Sequence, residues 1–167
     1  TKIWNRQALS DEFKKLLADW SHIVFRAMTE KAAVAPNPLW HLAKGWNFAG
    51  EACGMRGDKG RRDMALFVSD APASAAGVFT TNKCPGAPID WCREAMKGGK
   101  ARAVVINAGN ANVFTGKAGV ETVKASAAAA AKLVGCPAKQ VFLSSTGVIG
   151  EVLPHARLTA ALPKLHE

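Results

Sequence analysis

The 167-residue sequence predicts a fold that mixes helices with sheet, of the α+β class, and three observations point there. Short β-branched runs alternate with Gly, Pro, Asn and Asp between residues 48 and 106, as in a sheet with tight turns. A strand, loop, helix, strand order follows between 101 and 150, the pattern of a β-α-β unit. Two segments, 10–28 and 119–133, carry helical signals.

The elements follow in chain order. Residues 10–28 form an amphipathic helix: Ser10 is a plausible N-cap, Asp11 and Glu12 suit the positive end of the helix dipole, and Phe13, Leu16, Leu17, Trp20 and Val24 fall on one stripe. Residues 30–46, with Pro36, Pro38 and Gly45, connect it to the rest. From Phe48 a short strand leads into a tight basic turn punctuated by Gly54, Gly57 and Gly60. Residues 64–69 (MALFVS) form a strand, Asp70, Ala71 and Pro72 a turn, and residues 75–81 (AAGVFTT) a second strand, so 64–81 is expected to be a hairpin. A short helix over 89–96 closes at Gly98 and Gly99. Residues 101–106 (ARAVVI) have the texture of a central strand. The alanine-rich helix 119–133 stops at Gly135 and Pro137. Residues 140–143 (QVFL) form the last strand, followed by a final helical piece ending near Pro163.

Composition limits the function. Apolar residues make up 49% and charged residues 21%, ordinary values for a globular protein. No apolar run reaches the roughly 20 residues needed to span a bilayer, and the N-terminus lacks a secretory signal pattern. The four cysteines, Cys53, Cys84, Cys92 and Cys136, form no C-x-x-C pair and have no histidine at a metal-ligand spacing. They read as reduced thiols, with a Cys84–Cys92 pair as the alternative. Lys and Arg number 22 against 13 for Asp and Glu, a net charge of +9. Apart from Arg56, Lys59, Arg61 and Arg62 the basic residues are scattered, with few aromatics between them. A solvated surface explains that better than a nucleic-acid-binding face.

None of the four histidines lies near a Ser, Cys or Asp in a nucleophile arrangement, and no paired carboxylates or P-loop lysine stand out. Two loops carry more. Residues 107–112 supply Asn107, Asn110 and Asn112 around Gly109, groups that bond the backbone and tolerate left-handed conformation. Spacing alone favours a loop that holds a strand end. In the second loop, Ser144, Ser145, Thr146, Gly147 and Val148, a hydroxyl and a glycine N–H sit side by side. Two such donors aimed at one point stabilise a tetrahedral oxyanion. A helix N-cap by Ser145 or Thr146 explains the same residues equally well.

Together the loops carry a resemblance. The segment GRRDMALFVSDAPASAAGVFTTNKCPGAPIDWCREAMKGGKARAVVINAGNANVFTGKAG, followed by FLSSTGVIGEVLP, closely resembles the α-chain of ornithine acetyltransferases, also called glutamate N-acetyltransferases, of arginine biosynthesis. The match runs from about residue 48 to about 158. The resemblance implies a layered α-β-β-α sandwich, here with an extra N-terminal amphipathic helix, so that 1–46 is an appendage and 47–167 the α-chain domain. It implies a precursor that cuts itself into α and β chains, the new N-terminal threonine of the β-chain being the nucleophile. Acetyl then passes from N2-acetylornithine to that threonine and on to glutamate. Thr146 and Gly147 inherit the oxyanion-hole role, with Asn107, Asn110, Asn112 and Ser145 as the supporting loop. No nucleophile and no metal site are expected within these residues. No cofactor is implied, although acetyl-CoA is a substrate for some members. The implied partners are the β-chain, in a heterotetramer, and the two amino-acid substrates, with no nucleic acid and no membrane, in the cytoplasm. The family's α-chain carries further segments before its cleavage point that are not found here. A truncated, inactive member acting as a binding or scaffold protein is therefore the alternative.

Overall fold

The computed structural model describes residues 45–57 and 60–166. The expected helix over 10–28 and nearly all of the connecting loop lie outside them. Four strands form one mixed sheet in the order β1-β2-β3-β4. Strand β1 (Trp46–Glu51) pairs antiparallel with β2 (Met64–Ser74), β2 pairs antiparallel with β3 (Lys100–Asn110), and β4 (Val141–Val148) runs parallel to β3. Between them come α1 (Ala87–Met96) and α2 (Gly116–Val134), with α3 (His155–Ala161) after β4. The architecture is α+β, and β3-α2-β4 is the expected β-α-β unit.

Strand alternation sorts the side chains onto two faces. Met64, Leu66, Val68, Ala103, Val105, Val141 and Leu143 share the face that packs against helices. Helix α2 meets it with Val123, Ala127, Ala130, Ala131 and Val134, and the segment from Leu153 to Leu165 adds Leu158 and Leu162. Alanine at three of those positions in α2 lets the helix lie close to the sheet. Gly135, at φ +70°, ends it, with Cys136 N–H donating to Ala131 O at 3.0 Å. On the opposite face Phe48, Phe67, Val104 and Phe142 stand in register across all four strands. Phe48 and Phe67 meet edge to face, centroids 5.0 Å apart.

Strand β4 is an edge, and α1 covers it. Trp91 Nε1 donates to Val141 O at 2.9 Å, and the Cys92 thiol donates to Leu143 O at 3.2 Å. The same sulfur accepts from Leu143 N–H at 3.3 Å. An unpaired strand edge is thus satisfied by side chains. Cys92 is buried there while Cys84 is exposed, and all four described cysteines are free thiols.

The hairpin expected over 64–81 does not form. Strand β2 runs on through a bulge between Val68 and Ala73 to Ser74, and residues 75–81 contain no strand. Both sides of β2 are already occupied, by β1 and β3, so the second run has no ladder to join. Val78 is 94% exposed. The two polar loops are also more regular than expected: Asn107–Asn110 continue β3, and Ser144–Val148 continue β4. The next helix starts at His155, after Pro154. This rules out the helix-cap reading of Ser145 and Thr146.

Candidate active site

The sequence-predicted residues meet where β3 and β4 end side by side. Asn107 pairs with Ser145, Ala108 with Thr146, and Gly109 with Gly147. Alternation divides them between the faces. Asn107 and Ser145 lie on the helix-covered face, where Ser145 Oγ donates to Asn107 Oδ1 at 2.6 Å. Asn107 Nδ2 donates to Asn110 O at 2.9 Å, and Asn107 is only 2% exposed. Asn110 reaches across instead: its Nδ2 donates to Glu151 O at 3.0 Å, while its Oδ1 accepts from Asn112 N–H at 2.8 Å. Asn112, at φ +50°, donates from Nδ2 to Gly119 O at 3.0 Å and accepts from Thr115 Oγ1 at 2.7 Å. Asn110 and Asn112 therefore hold backbone on neighbouring segments, while Asn107 ties the Ser145 side chain to the end of β3. Together with Ala111 N–H to Val148 O and Gly150 N–H to Val113 O, both 2.9 Å, these bonds bracket residues 145–151 on both sides of Thr146 and Gly147.

Thr146 and Gly147 themselves are exposed. They line an open groove with Met55, Arg56, Ala108, Gly109 and Val148. Gly147 has φ +131°, a conformation side chains rarely adopt, and a Cβ there would stand against the backbone of Gly109 and 2.6 Å from Asn110 N. Gly109 is closed in turn: a Cβ on it would lie 2.8 Å from Met55 O and 2.9 Å from Arg56 Cγ. Three backbone layers, 147 on 109 on 55–56, stack with no room for a methyl group. That arrangement fixes the Gly147 backbone against a floor that cannot shift.

The floor depends on a residue that sequence reasoning missed. Asp63 is fully buried, and its carboxylate accepts from Cys53 N–H at 2.7 Å, Cys53 Sγ at 3.1 Å and Arg56 N–H at 3.1 Å. Its backbone joins the sheet through Asp63 N–H to Glu51 O at 3.1 Å and Ala108 N–H to Asp63 O at 2.8 Å. Arg157 of α3 donates to Gly54 O at 2.9 Å from the other side. Burial, and then the hydrogen bond to Asp63, push the Cys53 thiol up to about 12. Burial likewise raises Cys92 and Cys136. An acidic residue following a basic turn was the available signal for Asp63, but nothing local distinguishes it from a surface charge. Gly119 was missed for a similar reason. A side chain there would collide with Thr115 and Asn112, a contact visible only once α2 is folded back on the loop.

Among the described residues no group of three or more His, Cys, Asp or Glu side chains can hold a metal ion. No described helix is long and apolar enough to cross a membrane. The groove therefore offers hydroxyl and backbone donors and one guanidinium, a set suited to oxyanions and carboxylates.

A four-stranded mixed sheet packed against helices, its parallel pair ending in a buried Asn-Ser contact beneath an exposed Thr-Gly step, defines an α+β domain. The chain belongs to the ArgJ family, whose model matches residues 47–167. It is 52% identical over 122 residues to the arginine biosynthesis bifunctional protein ArgJ of Rhizobium meliloti, covering 73% of this chain and 29% of that protein. It is 49% identical over 142 residues to the protein of the same name from Gluconobacter oxydans, covering 83% and 33%. The chain thus spans about a third or less of the curated relatives it matches. Among solved structures it resembles ornithine acetyltransferase from Mycobacterium tuberculosis in complex with ornithine, with TM-score 0.71 and 34% identity over 84% of this chain and 70% of that one. It also resembles ArgJ of Bacillus halodurans, with TM-score 0.70 and 36% identity over 74% and 64%.

Proposed function

We propose that this chain is the α-chain part of an autoprocessed acetyltransferase that moves acetyl from N2-acetylornithine to glutamate through an acetyl-threonine intermediate. The threonine is the first residue of a β-chain produced from the same precursor, and its own amine serves as base. Its hydroxyl attacks the acetyl carbonyl, whose oxygen becomes the oxyanion. Collapse of that intermediate expels the ornithine amine with a proton and leaves the ester. The glutamate amine then attacks the ester, a second oxyanion forms, and its collapse frees the threonine. Thr146 hydroxyl and Gly147 N–H donate to both oxyanions.

One observation carries this reading: Thr146 and Gly147 stand exposed over a groove while the residues on either side of them are tied to β3. Donors held in place before charge develops need no reorganisation, and losing one costs about 3 kcal/mol. The names of the relatives, arginine biosynthesis and ornithine acetyltransferase, agree with the substrates.

The rest of the proposal follows from the same family. Residues 47–167 form one layer pair of an α-β-β-α sandwich, its second sheet packing on the row Phe48, Phe67, Val104 and Phe142. The α and β chains assemble as a heterotetramer in the cytoplasm, and no cofactor is used.

In the complete two-chain enzyme, Thr146→Val keeps the side-chain shape and removes the hydroxyl. Turnover should fall by roughly a hundredfold, with Thr146→Ser retaining most of it. Wild-type turnover in Thr146→Val would overturn the assignment.

A further inference from the structure

The groove has one cationic wall. Arg56 lines it beside Thr146 and Gly147, and its stem lies across Gly109, so close that only glycine fits beneath. Its backbone N–H is held by the buried Asp63 carboxylate at 3.1 Å, and Arg157 holds the same turn at Gly54. Among the described residues its guanidinium enters no ion pair. A cation whose base is so fixed, lining the same groove as Thr146 and Gly147, is placed to receive an anion on the substrate. We propose that Arg56 binds the α-carboxylate of the amino-acid substrate, an inference that rests on the function proposed above.

The choice of carboxylate follows from the two substrates. One site must accept an acetyl donor with a cationic side chain and an acetyl acceptor with an anionic one. Their shared anion is the α-carboxylate, which is attached to the carbon that bears the reacting nitrogen. When the acetyl oxygen sits at Thr146 and Gly147, that carboxylate lies only a few bonds away, within reach of a neighbouring guanidinium. The planar fork of arginine matches a carboxylate with two parallel hydrogen bonds. A guanidinium serving the far end of the substrate would instead repel the ornithine ammonium.

The test uses the complete two-chain enzyme and three proteins: wild type, Arg56→Gln and Arg56→Lys. Each is assayed with N2-acetylornithine, with glutamate, and with N-acetylputrescine, the acetyl donor lacking the carboxylate. Ornithine binding is titrated separately by calorimetry. Arg56→Gln should raise KM for both natural substrates by 10- to 100-fold with kcat changed only a few-fold, and weaken ornithine to match. Arg56→Lys should fall between. The preference of wild type for N2-acetylornithine over N-acetylputrescine should collapse in Arg56→Gln. An unchanged preference overturns the assignment of Arg56 and leaves the proposed reaction intact. A KM raised for glutamate alone also overturns it, assigning the arginine to the side-chain carboxylate. A wild-type enzyme that transfers no acetyl from N2-acetylornithine removes both this inference and the function on which it rests.

Discussion

At the scale of single residues, two groups decide whether the groove keeps its shape. Gly147 cannot be probed by Gly147→Ala as a pure donor test, because the added methyl would drive into Gly109 and perturb the floor along with the N–H. Asp63 is a cleaner probe of that floor. Its carboxylate accepts from two backbone N–H groups and a thiol at full burial. Asp63→Asn offers one acceptor oxygen and turns an NH2 group toward a donor, so at least one buried N–H loses its partner. The expected cost is about 1–3 kcal/mol. Thermal unfolding should show a Tm lowered by several degrees, whereas the exposed Asp70→Asn should leave Tm nearly unchanged. Equal Tm values for the two variants would show that the Asp63 cluster does not hold the turn.

At the scale of elements, the coupling of β3 to β4 runs through Asn107. Asn107→Ala removes the acceptor of Ser145 Oγ and the donor to Asn110 O at once. The two strand ends should then separate locally while Val104 and Val105, deeper in β3, stay paired. Amide exchange should quicken at Thr146 and Gly147 and remain slow at Val104 and Val105, and turnover should fall without a matching rise in KM. Uniform exchange across β4 would mean that the backbone ladder alone sets its geometry. The sequence carried this site only in part. The runs MALFVS, ARAVVI and QVFL located three strands, because β-branched and aromatic residues suit a pleated buried surface. The polar stretches after them read as loops, since Asn, Ser and Gly are turn residues by local propensity. They are strand here because each supplies the other's ladder, a pairing 38 residues apart that no local pattern encodes. The run AAGVFTT fails for the converse reason: it has strand propensity and no free partner. Resemblance, and not spacing, singled out Thr146 and Gly147, while Arg56 was noticed only as one member of a basic cluster.

At the scale of the whole molecule, three thiols are raised by burial, and this ties the stability of the fold to alkaline pH. Cys53 sits under the turn and Cys136 just past α2, both against the main core, while Cys92 lies at the β4 edge in a smaller cluster with Ala95, Ala101 and Phe142. The folded Cys53 thiol holds its proton up to about 12, against 9.0 for the ordinary thiol. Between those values the unfolded chain has lost a proton that the folded chain keeps. Stability must therefore fall as pH rises through that window, and should be independent of these groups below about pH 8. Urea midpoints measured at pH 8 and pH 10 should show a drop at the higher pH. Cys53→Ser, which keeps a hydroxyl donor for Asp63 and does not ionise in this range, should lessen that drop. Alkylation by iodoacetamide at pH 8 should meanwhile modify the exposed Cys84 first, with the buried Cys92 protected until the protein unfolds. A flat urea midpoint from pH 8 to 10 would mean that the turn over Gly109 opens readily enough to free the Cys53 thiol. A turn that opens so readily could not serve as the fixed floor beneath Thr146 and Gly147.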